Sequence, residues 1–320
     1  MRIVFMGTPE FAVPSLQALI DNGYEVVGAF TQPDRPSGRG NKLTACPVKV
    51  LAEKHGIPVF QFEKVRRREG REAIEALRPD LCVTAAFGQI LSQRILDIPP
   101  MGTVNVHASL LPKYRGSAPI NWCIALGEKK AGVTTMFTDA GIDTGDMALR
   151  AETEIGEMET AGELTVRLAE MGAKLLIETI HAIENGTCPR EKQDESQMSH
   201  QPMLSREDGL IDWTMSAEQI ACRVRGFNPW PGTYTQWGDG VMKIWLARAV
   251  ERNVEARPGE VIESSAKKGL VVACGEGALE ILEMQAPAAK RMNAKSYLMG
   301  KPIPVGTLLG QAVGPACLAR

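Results

Sequence analysis

Short apolar runs alternate with helically spaced apolar positions through the first half of the chain. Ile3–Met6 is an apolar run ending in Gly7-Thr8-Pro9, and Phe11, Val13, Leu16, Leu19 and Ile20 then recur at helical spacing until Asn22-Gly23. Tyr24–Phe30 predicts the next strand. Asp34–Pro47, rich in Gly, Pro and Arg, predicts a long mobile loop. Helices are expected over Val48–His55 and Arg66–Leu77, and strands over Asp80–Ala86, Gly102–His107, Gly132–Thr138 and Met147–Thr153. Thr160–Ile183 predicts a long amphipathic helix with Leu164, Leu168, Met171, Leu175 and Ile183 on one side. Strands interleaved with helices imply an α/β fold with a mostly parallel sheet covered on both faces.

The pattern changes after residue 186. Gly186–Asp208 is polar and aperiodic, as expected of a linker. A short helix over Ala217–Arg225 precedes five strand candidates: Thr233–Trp237, Val241–Ala249, Gly259–Ser264, Leu270–Ala273 and Ala278–Glu283. Glycine-bearing turns such as Gly238-Asp239-Gly240 separate them, the signature of a small Greek-key β-barrel of the OB type. The expected division is therefore 1–188, a linker over 189–208, and 209–320.

The composition of the 320 residues, 44% apolar and 5% aromatic, is that of a globular protein long enough for two domains. No apolar run approaches the roughly 20 residues of a membrane span. The N-terminus has no h-region or cleavage pattern, and seven cysteines without a C-x-x-C pair suit a reducing compartment. A cytoplasmic protein without a structural zinc site is expected. The net charge of −2 is unevenly spread, and no acid follows Glu283 while Lys290, Arg291, Lys295, Lys301 and Arg320 do. A weakly basic second half can meet a phosphate backbone, although a solvated surface reads the same way. Nothing in the chain demands an oligomer, and a monomer is expected.

Two segments carry the chemistry. Asn105 and His107 lie two apart at the end of an expected strand, so their side chains share a face. Ligand sites of open α/β sheets lie outside the carboxyl ends of their strands. An imidazole manages protons near neutral pH, and an amide N–H can donate to a developing oxyanion. Asp143, within Gly141-Ile142-Asp143-Thr144-Gly145, can orient the imidazole, with Asp139 and Asp146 as rivals and turn capping as the plain alternative. Such a trio suits transfer of a small acyl group to an amine. Ser109-Leu110-Leu111-Pro112 can offer backbone groups to a planar ligand edge, or can be an ordinary loop with two buried leucines. The fingerprints G-x-G-x-x-G and Walker A are both absent, which weakens a nicotinamide dehydrogenase reading. The loop from Asp34 to Lys42 presents Arg35, Arg39 and Lys42 on a glycine-rich segment fit to close over a polyanion. Phe227-Asn228-Pro229-Trp230-Pro231 reads mainly as a rigid structural turn, and Trp213, Trp237 and Trp245 as core or near-core residues.

Taken together, Gly7-Thr8-Pro9-Glu10-Phe11, the Thr31–Gly40 loop, Asn105–Gly116, Gly141–Asp146, Ile211-Asp212-Trp213 and Phe227–Pro231 closely resemble the bacterial methionyl-tRNA formyltransferases. The Asn/His/Asp set alone is shared with other folate-dependent formyltransferases, including those acting on glycinamide ribonucleotide. The resemblance implies a Rossmann-like formyltransferase domain that binds 10-formyltetrahydrofolate and an OB-like C-terminal domain that helps bind initiator methionyl-tRNA. It implies catalysis by Asn105, His107 and Asp143, folate binding by Ser109, Leu110, Leu111 and Pro112, and tRNA contacts by Arg35, Arg39 and Lys42, with no metal, membrane or protein partner. Where the family usually has Tyr-Ala-x-Lys, this chain has His200-Gln201-Pro202-Met203 and lacks that lysine. A purine-pathway formyltransferase would need neither the Arg-rich insert nor the basic second half. A non-catalytic RNA-binding protein would leave the trio without a role.

Overall fold

A computed structural model describes residues 1–37, 42–252 and 255–310, without the side chains of residues 37 and 42. The Cα packing separates two units: Met1–Pro119 with Lys130–Thr153 and Thr165–Gln201, and Ile120–Lys129 with Glu154–Leu164 and the chain from Pro202 onward.

The first unit is built on a seven-stranded sheet. Its elements are β1 (Arg2–Gly7), α1 (Val13–Asp21), β2 (Glu25–Thr31), β3 (Arg35–Ser37), β4 (Lys42–Thr44), α2 (Pro47–Lys54), β5 (Val59–Gln61), α3 (Arg68–Leu77), β6 (Leu81–Ala85), α4 (Gln93–Leu96), β7 (Thr103–His107) and β8 (Arg115–Gly116). After α5 (Pro119–Ala125) come β9 (Lys130–Phe137), β10 (Met147–Glu154), α6 (Ala161–Glu184) and β11 (His200–Gln201). The strand order is β10-β9-β7-β6-β1-β2-β5. β5, β2, β1, β6 and β7 run parallel, and β9 pairs antiparallel with β7.

The sheet is covered on both faces, as the interleaved pattern predicts. Ile3, Val4, Phe5 and Met6 are all fully buried although they alternate in direction. Val4 and Met6 join Phe30, Cys82, Ile74 of α3 and Ile95 of α4 in one core. On α6, a Cβ at Gly172 would meet Val106 Cγ1 of β7 at 2.7 Å, so only glycine lets this helix lie so close.

Two parts of this unit differ from their sequence expectation. The helix expected from Phe11 begins with a 3₁₀ turn, Glu10–Ala12, before α1. Within 34–47 the described residues include the hairpin β3–β4, with Arg35 opposite Thr44 and Pro36 opposite Leu43. Its base is fixed by Lys49 Nζ, which donates to Asp34 Oδ2 at 2.6 Å and to Gln61 Oε1 at 3.1 Å.

The second unit holds α7 (Ala217–Gly226), β12 (Thr233–Trp237), β13 (Gly240–Val250), β14 (Val261–Ser265), β15 (Gly269–Ala273), β16 (Ala278–Gln285), β17 (Met292–Asn293) and α8 (Ala294–Gly300). The antiparallel order is β12-β13-β16-β15-β14, with β17 added to β16. Met242 and Ile244 of β13 face the core, then a bulge around Leu246 shifts the phase and Ala247 faces inward. α7 begins in a capping box, Ser216 with Gln219, and buries Ile220 and Val224 in the same core. Trp213 lies in this core with its Nε1 donating to Thr235 Oγ1 at 2.9 Å. Trp237 packs on its edge, and Trp245 is half-buried with the Arg291 guanidinium 5.0 Å from its ring centroid. Phe227 is fully buried, and Asn228 Nδ2 donates to Trp245 O at 2.7 Å, which fits the structural reading of the turn that follows.

Among the described residues no helix is long and apolar enough to cross a membrane, and no group of three or more potential ligands could hold a metal ion. The six described cysteines are free. Burial pushes the thiols of Cys82, Cys123 and Cys274 up to about 12, which keeps them protonated and unreactive at neutral pH.

Candidate active site

The site is built at the carboxyl end of β7. Asn105 stands beside Thr84 of β6 and Met136 of β9, and His107 stands beside Thr134 of β9. Thr84 Oγ1 donates to Asn105 Oδ1 at 2.9 Å. In this arrangement the amide oxygen faces Thr84, and the NH₂ end is turned the other way.

His107 is 6% exposed. Its Nε2 lies 3.0 Å from the Tyr114 carbonyl oxygen, which can only accept, so Nε2 donates. Its Nδ1 lies 3.7 Å from Asp143 Oδ2. The ring thus lies between a carbonyl and a carboxylate.

Asp143 reaches this position in an unusual conformation, with φ at +54°. Asp tolerates this left-handed region better than most non-glycine residues, and hydrogen bonds from two sides fix the residue in it. Gly116 N donates to Asp143 Oδ2 at 2.9 Å. Gly116 itself has φ +92°, and a Cβ there would meet His200 Nε2 at 2.8 Å, so glycine is required for this approach. From the other side, Gln193 Nε2 donates to the carbonyl oxygens of Asp143 at 2.7 Å and Gly145 at 2.9 Å.

Neither rival aspartate takes the place beside His107. Asp139 Oδ1 accepts from Gly141 N at 3.0 Å and Thr144 Oγ1 at 2.7 Å, which is turn capping. At Asp146 the carbonyl oxygen accepts from Phe137 N at 2.8 Å, and no bond links its carboxylate to His107. The structure brings Asn105, His107 and Asp143 to one strand end.

The 109–112 segment is bound into the framework. Ser109 Oγ donates to Lys113 O at 2.7 Å, and Thr134 Oγ1 donates to Ser109 O at 2.7 Å. Leu111 N donates to Thr134 Oγ1, and the Leu111 side chain is buried with Met136 and Met147. Leu110 is half-buried, and the Leu111–Pro112 peptide is cis. Of the three basic loop residues, Arg35 is exposed and pairs with Glu63 at 2.8 Å. Lys42 lies on β4 opposite Ser37, and Arg39 lies outside the described residues.

Several functional neighbours escape sequence reasoning. Thr84 and Gln193 belong to no motif, and Tyr114 and Arg115 lie in the Asn105–Gly116 segment, but the contacts of all four are not written in the local pattern. Only Thr84 leaves a trace, as a polar residue inside an otherwise apolar strand run.

An open, mostly parallel sheet with an amide, an imidazole and a carboxylate at one strand end defines a class of group transferase, and the chain agrees with a family model in both halves. Residues 1–180 match the formyl transferase model and residues 203–302 match the formyl transferase C-terminal domain model. The chain belongs to the formyl transferase family. It is similar over nearly its whole length to proteins named methionyl-tRNA formyltransferase. The protein of Acetivibrio thermocellus is 51% identical over 312 residues, covering 97% of this chain and all of the relative. That of Ruminiclostridium cellulolyticum is 49% identical over 313 residues with the same coverage. Two solved structures share the fold. The N-formyltransferase from Helicobacter canadensis, in complex with folinic acid and dTDP-3-aminofucose, is 19% identical with a TM-score of 0.62, over 91% of this chain and 99% of that one. HypX from Aquifex aeolicus, in complex with tetrahydrofolic acid, is 17% identical with a TM-score of 0.59, over 93% of this chain and 47% of HypX.

Proposed function

We propose that this protein transfers the formyl group of 10-formyltetrahydrofolate to the free amino group of initiator methionyl-tRNA, with Asn105, His107 and Asp143 as its catalytic residues. The observation that carries the reading is the convergence of these three side chains at the end of β7, with His107 held between Tyr114 O and Asp143. The relatives near 50% identity, aligned through the C-terminal domain as well, favour methionyl-tRNA as the acceptor.

The formyl donor enters as a substrate and supplies an electrophilic carbon. The donor set fits it, because Thr84 turns the Asn105 NH₂ end away from β6 and so leaves a hydrogen-bond donor for the formyl oxygen. When the amine attacks, negative charge grows on that oxygen. Asn105 and protonated His107 stabilise it, and Asp143 holds the ring's orientation and its proton. The tetrahedral intermediate then collapses with cleavage of the bond between the formyl carbon and N10, and Asp143 assists, through water, movement of the proton from the attacking amine to the leaving N10.

Ser109, Leu110, Leu111 and Pro112 are assigned to the folate. With the Leu111 side chain in the core and its N–H taken by Thr134, and with the carbonyls of Ser109, Leu110 and Pro112 accepting from Thr134, Lys113 and Ser199, the half-buried Leu110 side chain is what meets the donor. Arg35, Arg39 and Lys42 are assigned to the tRNA acceptor end. Residues 1–188 form the catalytic part, 189–208 a linker, and 209–320 a tRNA-binding part of a cytoplasmic monomer.

The direct test is formylation by the purified full-length protein with 10-formyltetrahydrofolate. The acceptors are initiator methionyl-tRNA, elongator methionyl-tRNA and glycinamide ribonucleotide. Turnover with initiator methionyl-tRNA far above the other two is the expected result; preference for glycinamide ribonucleotide would overturn the acceptor assignment. Arg35→Ala should raise KM for tRNA and leave KM for the folate donor in place. Equal KM values in wild type and variant remove Arg35 from the tRNA contacts.

A further inference from the structure

We infer that Gln193 is a positioning residue for Asp143, and that Arg115 fixes the amide through which it acts. The inference rests on Asp143 being catalytic, as proposed above.

One side-chain amide holds the loop that carries this carboxylate. Gln193 Nε2 donates to the backbone carbonyls of Asp143 and Gly145, at 2.7 and 2.9 Å, so its two N–H groups bracket the turn. Asp143 is the residue there with φ at +54°, in the left-handed region that Asp tolerates better than most side chains. The amide cannot reverse. Its Oε1 accepts from Arg115 Nε at 2.9 Å, and a guanidinium only donates, so the oxygen must face Arg115 and the NH₂ must face the loop. Arg115 is itself 3% exposed, and its remaining nitrogens donate to the two carboxylate oxygens of Glu195 at 3.0 and 2.7 Å. That pairing holds the Glu195 carboxyl below its usual range, so Glu195 stays ionised at neutral pH.

Arg115 and Gly116 thereby grip Asp143 at both ends. The Gly116 N–H holds the carboxylate, and the Arg115 side chain, through Gln193, holds the carbonyl. The polar segment after α6 is also tied alongside: Arg115 N donates to Ser199 O at 2.8 Å, Tyr114 N to Ser199 Oγ at 2.9 Å, and β11 pairs parallel with β8. Tyr114 is the residue whose carbonyl receives His107 Nε2. A strap that served only to anchor the chain would need no bond to the Asp143 loop. This one ends on both sides of the catalytic carboxylate.

The test uses the full-length protein and steady-state formylation of initiator methionyl-tRNA. Gln193→Glu keeps the size and the acceptor for Arg115 but presents an oxygen to two carbonyl oxygens; Gln193→Ala removes the contacts altogether. Both should lower kcat by roughly tenfold to a hundredfold, the penalty of slight misplacement of a catalytic group, and leave KM for both substrates unchanged. Thermal melts establish that each variant is folded, and should Gln193→Glu not fold, Gln193→Ala carries the test. The decisive readout is a double-mutant cycle. In an Asp143→Ala background, Gln193→Ala should cost almost nothing further, because its effect passes through Asp143. Full multiplicative losses in the double variant, or wild-type kcat in Gln193→Ala, would overturn the inference. If Asp143→Ala alone left turnover intact, the catalytic assignment would fail and this inference with it. An impaired Asp143→Ala beside unimpaired Gln193 variants would sink only the inference.

Discussion

The two halves of the candidate active site are positioned by different means. Asn105 and His107 ride on β7, flanked by β6 and β9, and their placement follows from strand register. Asp143 rides on a loop, in the left-handed region, and its placement follows from a few hydrogen bonds from distant residues. A strand interior delivers a side chain to within a fraction of an ångström because many backbone bonds share the task. A loop has no such ladder, and each of its hydrogen bonds matters more. The lesson is that the loop half should be the more fragile to changes outside the catalytic residues themselves.

The largest effects test the trio. Removing one oxyanion donor typically costs about 2.7–4 kcal/mol in the transition state. Asn105→Ala and His107→Ala should therefore each lower kcat by at least about a hundredfold, with thermal melts like that of wild type. Turnover near the wild-type rate in either variant would remove that residue from the mechanism. The Gln193 variants come next, and they measure the fragility of the loop half. Thr84→Val measures the strand half. It deletes the hydroxyl that orients the Asn105 amide but leaves the β6–β7 register intact. A neutral hydrogen bond contributes roughly 0.5–1.5 kcal/mol, so kcat should fall by about tenfold at most. A larger loss from Thr84→Val than from Gln193→Ala would reverse the comparison.

The same division explains what the amino-acid sequence reveals. The alternation of apolar runs and helical spacing carries most of the sheet, and the two-residue spacing of Asn105 and His107 suffices to put them on one face. Elements too short for a period are passed over: β5 has three residues, and α5 and α8 seven each. Among three nearby aspartates, local chemistry alone leaves Asp139, Asp143 and Asp146 level. They are separated by where their carboxylates go, and that depends on Gly116 and on Gln193, 50 residues further along the chain from Asp143. Arg115 and Gln193 lie 78 residues apart in sequence, and no spacing or motif joins the one to the other. The segment after α6, featureless as a pattern, is the one that closes the loop.

The hairpin β3–β4 offers a third way of holding a loop, by charge, and it sharpens the comparison through pH. Gln193 grips the Asp143 loop through carbonyls, which do not titrate. The hairpin base instead depends on the Lys49–Asp34 pair, in which the Lys49 hydrogen bond, then that of Gln61, holds the Asp34 carboxyl below its ordinary value of 3.8. A folded-state value below the unfolded one means that ionised Asp34 stabilises the fold above that ordinary value, and that this contribution fades as pH falls through the folded value. Lys49 is shifted upward by the same bond, so its share persists until pH rises past its ordinary value of 10.5. Asp34→Asn should therefore lower the melting temperature slightly at neutral pH, the smallest effect predicted here. The gap between wild type and variant should close as pH drops below about 4. A gap of constant size from neutral to acid pH would show that the pair contributes through shape rather than charge. The hairpin would then be held in the same manner as the Asp143 loop.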